Sequence, residues 1–116
     1  METIKKTKNF KIVYSKGRQA VNAYFVLYAM PNNKGATHIG ITVSKKVGNA
    51  VTRNKIRRLV KESFRLMGAR VVSGYDIVIV ARRAVSALPK EGRFRKVDKS
   101  LTSLLTRLNL VNTGEN

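Results

Sequence analysis

Residues 45–70 read KKVGNAVTRNKIRRLVKESFRLMGAR, and residues 75–81 follow as YDIVIVA. Within the first stretch, nine residues are Lys or Arg and Glu62 is the only acid. From Ala50 to Met67 the apolar positions Ile56, Leu59, Val60, Leu66 and Met67, with the small Ser63, recur at helical spacing, which predicts one long amphipathic helix. At about 100° per residue, Arg57, Lys61, Asn54, Arg65 and Arg58 occupy one arc on the other side. Arg53 is expected at the seam, its stem over apolar surface and its guanidinium outward. The second stretch is a nearly continuous branched apolar run, the pattern of a buried strand. With His38–Val43 before the helix as a further strand, strand, helix and strand make a crossover unit with the basic arc facing outward.

The remaining elements are arranged around that unit. Phe10, Val13 and Tyr14 sit at i, i+3 and i+4 in a helix expected over Thr7–Lys16, with Gly17 as its stop. Lys5, Lys6, Lys8, Lys11 and Lys16 form its basic edge. Phe10 and Tyr14 admit two readings, core anchors or a stacking surface. Arg18–Asn22 predicts a short strand, and Ala23–Met30 a second one rich in aromatic and branched residues. Alternation places Tyr24, Val26 and Tyr28 on a solvent side and Phe25 and Leu27 on the other. The turn cluster at Pro31, Asn32, Asn33, Lys34 and Gly35 predicts a hairpin with the His38–Val43 strand. There His38, Gly40 and Thr42 offer a small-residue patch beside the tyrosines, open to a flat ligand. Ser73 and Gly74 mark a turn. A Pro- and Gly-containing connection over Ser86–Gly92 leads to a last amphipathic helix carrying Val97, Leu101, Leu104, Leu105 and Leu108. The TGEN tail is expected to fray.

A chain of 116 residues suits one domain, and neither repeats nor a linker divide it. Twenty-four basic residues against six acidic ones give a formal charge of +18, a field that seeks a polyanion. No apolar run approaches the roughly 18 residues that would span a bilayer. The N-terminal residues lack a signal-peptide apolar core. Cysteine is absent, which removes disulfides and thiolate metal sites, so a cytoplasmic protein is the default expectation.

Self-sufficient hydrolysis has little support. The carboxylates Glu2, Glu62, Asp76, Glu91, Asp98 and Glu115 form no acidic pair at useful spacing, and His38 has no companion ligands for a metal. Ser44, Lys45 and Lys46 with Gly48 lack the glycine spacing of a P-loop. The residues that remain are Gly48 and Asn49 shaping a turn, the start of the long helix and Arg53, a set suited to phosphate oxygens of an RNA backbone. Basic helix faces are usually only solvated, but that reading normally comes with interspersed acids.

The run from Ser44 through Lys45, Lys46, Val47, Gly48, Asn49, Ala50, Val51, Thr52, Arg53, Asn54, Lys55, Ile56 and Arg57 to Arg58, with Phe64 and Arg65 beyond, resembles the signature of the bacterial ribonuclease P protein subunit. The resemblance extends over nearly the whole chain, from Asn9 and Phe10 through Phe25, Val26, Leu27 and Tyr28 to YDIVIVARR and the leucine-rich helix. Two departures are Lys55, where the family's Arg-Asn-Arg has a second Arg, and Tyr14, often Phe. The resemblance implies an α/β (α+β) two-layer sandwich of the ribosomal protein S5 domain 2-like kind, with three helices and a mixed four-stranded sheet in the order αβββαβα and a left-handed βαβ crossover, against the usual preference. It implies the accessory subunit of an RNA-based endonuclease that removes the 5′ leader of precursor tRNA, with catalytic magnesium held by the RNA and no catalytic or metal-binding residue in this chain. Lys45, Lys46, Asn49, Arg53, Asn54, Lys55, Arg57, Arg58, Lys61 and Arg65 would contact the catalytic RNA. Phe10, Lys11, Tyr14 and Tyr28 would hold the leader. A basic ribosomal structural protein is the alternative, and a protein-only nuclease is poorly equipped.

Overall fold

The computed structural model describes residues 2–3 and 7–112. Lys5, Lys6 and the TGEN tail lie outside them, as does the side chain of Lys8. In chain order the elements are a two-residue strand β1 (Glu2–Thr3), α1 (Thr7–Lys16), β2 (Arg18–Val21), β3 (Phe25–Pro31), β4 (His38–Thr42), α2 (Ala50–Met67), β5 (Tyr75–Ala81) and α3 (Arg93–Arg107). Short 3-10 turns at Gly68–Arg70 and Arg83–Ala87 flank β5. The expected mixed sheet of four strands and the order αβββαβα are present, and β1 extends the sheet at one edge, parallel to β4.

The sheet order is β1-β4-β5-β3-β2. β5 runs parallel to β4 and antiparallel to β3, so β3 and β4 are separated and the expected hairpin between them does not form. The hairpin joins β2 to β3 instead. The reason lies in β5: Ile77, Val78 and Ile79 are fully buried, and a strand apolar on both faces is satisfied only at the centre of a sheet covered on both sides. The loop from residue 32 to 37 is accordingly clamped to the entry of β5. Asn32 N–H donates to Gly74 O at 2.9 Å, and the buried Thr37 hydroxyl donates to Val72 O at 2.7 Å while accepting from Tyr75 N–H at 3.3 Å.

Alternation divides the sheet into two faces. Phe25, Leu27 and Ala29 of β3, Ile39 of β4, and Ile77 and Ile79 of β5 meet Ile56, Val60, Phe64 and Met67 of α2 and Val97, Leu101, Leu104 and Leu105 of α3 in one continuous core. All five apolar positions expected on α3 are buried. Among the described residues the opposite face carries only α1, whose Val13 is buried against Val78, with Phe10, Tyr28, Met30 and Val80 partly buried around them. Tyr24 precedes β3 and packs against the main core, so it does not share the face of Tyr28.

Helix α2 spans the expected residues but is rolled about its axis. Phe64 is buried and Leu66 is 56% exposed, the reverse of the expected stripe at those two positions. The larger ring yields more on burial. At about 100° per residue the roll carries Arg53 into the arc between Val60 and Phe64, rather than to the seam.

Candidate nucleic-acid interface

On the α1 face, the i, i+4 spacing of Phe10 and Tyr14 places both rings beside the Val13 anchor. Their centroids are 6.4 Å apart at 49°, and Tyr14 meets Tyr28 edge-on at 5.0 Å and 80°. The Tyr14 and Thr42 hydroxyls are 3.1 Å apart, tying α1 to β4. Phe10 and Tyr28 are half-buried, while Tyr14 is 37% exposed and Lys11 is exposed. The structure therefore brings Phe10, Tyr14 and Tyr28 into one aromatic row with a cation on the same helix. Thr42 and His38 are half-buried on this face and Gly40 is buried, so the small-residue patch is less open than its composition suggests.

Gly17 sets the angle at which α1 meets the sheet. Its N–H donates to Val13 O at 2.8 Å, and a Cβ there would lie 2.5 Å from Val13 O and 3.1 Å from Ala29 O. The helix stops where expected, but glycine is required by close backbone approach rather than by a left-handed conformation.

The second candidate surface begins with the loop before α2. Val47 is buried and pins the loop, leaving Lys45 and Lys46 exposed. Asn49 is the N-cap of α2, its side-chain oxygen accepting from Thr52 N–H at 2.9 Å, so this oxygen is committed to the helix. A Cβ on Gly48 would come within 2.9 Å of the Thr52 methyl, so a larger residue there would have to displace the Thr52 side chain. No acid stands in the first turn of α2, whose N-terminus carries the positive end of the helix dipole.

Along the helix, Asn54, Lys55, Arg58, Lys61 and Arg65 are exposed and Arg57 is half-buried. Arg57 Nη1 donates to Asn54 Oδ1 at 3.0 Å, which holds its guanidinium along the strip. Arg53 is half-buried with its Nε fully shielded and without a hydrogen-bond partner. Arg65 forms a two-pronged contact with Glu62, Nε donating to Oε2 at 3.0 Å and Nη2 to Oε1. The Arg65 hydrogen bond, and then its charge, hold the exposed Glu62 carboxyl below its usual range, and Arg65 is raised in turn. Its charge is thus partly neutralised within the strip.

Other cations serve the fold. Arg18 donates to Leu108 O at 2.9 Å, Arg82 to Asn22 O at 2.7 Å, Arg107 to Val21 O at 2.9 Å, and Arg93 through Nε and Nη2 to Leu88 O at 3.1 and 2.7 Å. The net charge therefore overstates the cations free for phosphate. The interior carboxylates are structural too. Asp98 accepts from the buried Ser63 hydroxyl at 2.7 Å, linking α3 to α2. Asp76 accepts from Asn32 Nδ2 at 2.9 Å and lies 3.3 Å from His38 Nδ1. Among the described residues no three His, Cys, Asp or Glu side chains form a set that could hold a metal ion. No helix among them is long and apolar enough to cross a membrane. One group absent from the expected interface is Lys90, Arg93 and Phe94, which line a groove with Lys55, Arg58 and Leu59. Its sequence signal is the aromatic set among cations in KEGRFRK.

Comparison with known proteins gives a consistent result. The family model described as Ribonuclease P matches residues 1–109. The ribonuclease P protein component of Clostridioides difficile is 43% identical over 108 residues, covering 92% of this chain and 91% of the relative. That of Caldanaerobacter subterraneus is 40% identical over 112 residues, covering 97% and 93%. Among solved structures, the RNase P protein of Staphylococcus aureus aligns with a TM-score of 0.85 at 34% identity, covering 97% of this chain and 99% of that one. The Thermotoga maritima RNase P protein aligns at 0.83 and 32% identity, covering 92% and 97%. With this agreement of sequence over nearly full length and of fold, the chain belongs to the ribonuclease P protein family.

Proposed function

We propose that the protein acts as the RNA-binding subunit of ribonuclease P, assisting a catalytic RNA in removing the 5′ leader of precursor tRNA. The observation that carries this reading is the separation of two unlike surfaces on one sheet. The α1 face has an aromatic row suited to unstacked bases of a single strand. The α2 strip presents cations to phosphates with a single acid among them.

In this reading Phe10, Tyr14 and Tyr28 stack on leader bases and Lys11 meets the leader backbone. Lys45, Lys46, Asn49, Asn54, Lys55, Arg57, Arg58, Lys61 and Arg65 contact the catalytic RNA, Asn49 with the amide donors that the cap leaves over. Arg53 has a double part, its stem in the core and its outer guanidinium nitrogens toward RNA. The protein contributes binding and charge screening. It holds two polyanions together, lowers their repulsion and so favours binding of substrate and of metal by the RNA. In this reading magnesium chemistry belongs to the RNA. The relatives, all ribonuclease P protein components, support this reading over a ribosomal structural role.

The test combines the protein with the catalytic RNA and precursor tRNA at low magnesium. Leader cleavage is expected to exceed that by RNA alone, and equal cleavage with and without protein would overturn the proposal.

A further inference from the structure

The groove lined by Lys55, Arg58, Leu59, Lys90, Arg93 and Phe94 lies between α2 and the start of α3, on the sheet face opposite the aromatic row. Its volume is about 410 Å³, and it is shallow and open to solvent along its length. None of its lining residues is acidic, and Glu91, next in sequence, is exposed outside the lining. Lys55, Arg58 and Lys90 are exposed, so their charges are available at the rim. Arg93 is held in place by its two hydrogen bonds to Leu88 O. Leu59 packs against the main core and forms an apolar part of the lining. Phe94 is half-buried, yet among the described residues its ring belongs to neither hydrophobic cluster. An aromatic ring without a core role, among four cations, asks for a ligand with both a flat face and negative charge.

We infer that this groove takes one unpaired nucleotide of the catalytic RNA, its base stacked on Phe94 and its flanking phosphates held by Lys55, Arg58 and Lys90. A continuous duplex would satisfy the cations but keep its bases inside the helix and leave Phe94 idle, whereas a bulged or loop nucleotide uses both. The catalytic RNA is the partner because the groove shares Lys55 and Arg58 with the α2 strip and lies away from the face assigned to the leader. This inference rests on the proposed function and extends the same RNA interface past α2 onto the β5–α3 connection.

The experiment uses the full chain reconstituted with the catalytic RNA, measuring affinity across a salt series and backbone reactivity of the RNA at nucleotide resolution. Phe94→Leu retains apolar bulk without a π face, and is expected to lose about five- to tenfold in affinity with an unchanged salt slope, and to lose protection at one unpaired nucleotide. Phe94→Tyr restores both. Lys90→Gln is expected to reduce the salt slope by about one. Wild-type affinity and protection in Phe94→Leu would overturn the inference, as would a loss confined to leader binding. Should Phe94→Leu fail to fold by circular dichroism, Lys90→Gln at its exposed site decides, and an unchanged slope overturns the inference. Failure of the unaltered protein to bind the catalytic RNA would overturn the proposed function as well, whereas normal binding with an inert groove would overturn this inference alone.

Discussion

The two faces of the sheet use apolar residues differently. Under α2 and α3, Leu27, Ile79, Leu101 and Leu104 are fully shielded in a core shared by the sheet and the two helices. Under α1, Val13 and Val78 form a small buried apolar pair, and the aromatic rings around them remain partly open. The first face closes the fold, and its cations are consequently pushed to the outside of α2. Among the described residues the second has one ten-residue helix as cover, and its rings keep free surface. The structure thus has one face closed for stability and another that leaves aromatic surface open, the face to which the proposed function assigns the single-stranded leader.

The strongest way to break that contrast is to cut into each face. Leu101→Ala is expected to cost about 2–5 kcal/mol and lower the global denaturant midpoint. Val13→Ala should instead speed hydrogen exchange within α1, with a much smaller change in the midpoint. Equal global losses would show that α1 is as integral as α3. Next, Gly17→Ala drives a Cβ into two carbonyl oxygens and should tilt α1 from β3, weakening leader binding about tenfold or more while catalytic-RNA affinity holds. Equal loss for both RNAs would dissolve the division.

A finer test separates stacking from charge. Arg57→Ala should reduce affinity for the catalytic RNA and flatten its salt slope by about one, whereas Phe10→Ala should cost about 1–3 kcal/mol in leader binding with little effect on slope. Arg53→Ala is less informative, because it also removes a stem packed in the core arc. The smallest effect is expected from Glu62→Gln, which frees Arg65 and should raise RNA affinity about two- to fivefold at low salt. Because the Glu62 pKa is depressed, the pair is intact at neutral pH and is lost as pH falls through that lowered value. The gain from Glu62→Gln should therefore shrink toward acid pH, as read from binding isotherms.

Much of this arrangement was legible in the chain. Periodicity placed α2 from Ala50 to Met67, α3 on Val97, Leu101, Leu104 and Leu105, and β5 on YDIVIVA, because each pattern records which side of an element must leave water. The acid-poor strip and the Phe10, Tyr14 spacing were equally visible. The misread points are those where elements compete for the same space. The expected hairpin between β3 and β4 yielded to β5, whose two apolar faces require the centre of the sheet. Leu66 yielded to Phe64, since α2 rolled toward the larger ring and took Arg53 with it. Cations at Arg18, Arg82, Arg93 and Arg107 proved to be engaged by main-chain oxygens distant in sequence or across a turn.

The sequence by itself determined the element types, the excess of positive charge and the family signature, all of which follow from local pattern and composition. Tertiary structure decided strand order, the roll of α2, which cations remain free, and the meeting of Lys90, Arg93 and Phe94 with Lys55 and Arg58. Those are outcomes of packing between segments far apart in the chain, where burial of the largest apolar surface overrides what each segment prefers alone.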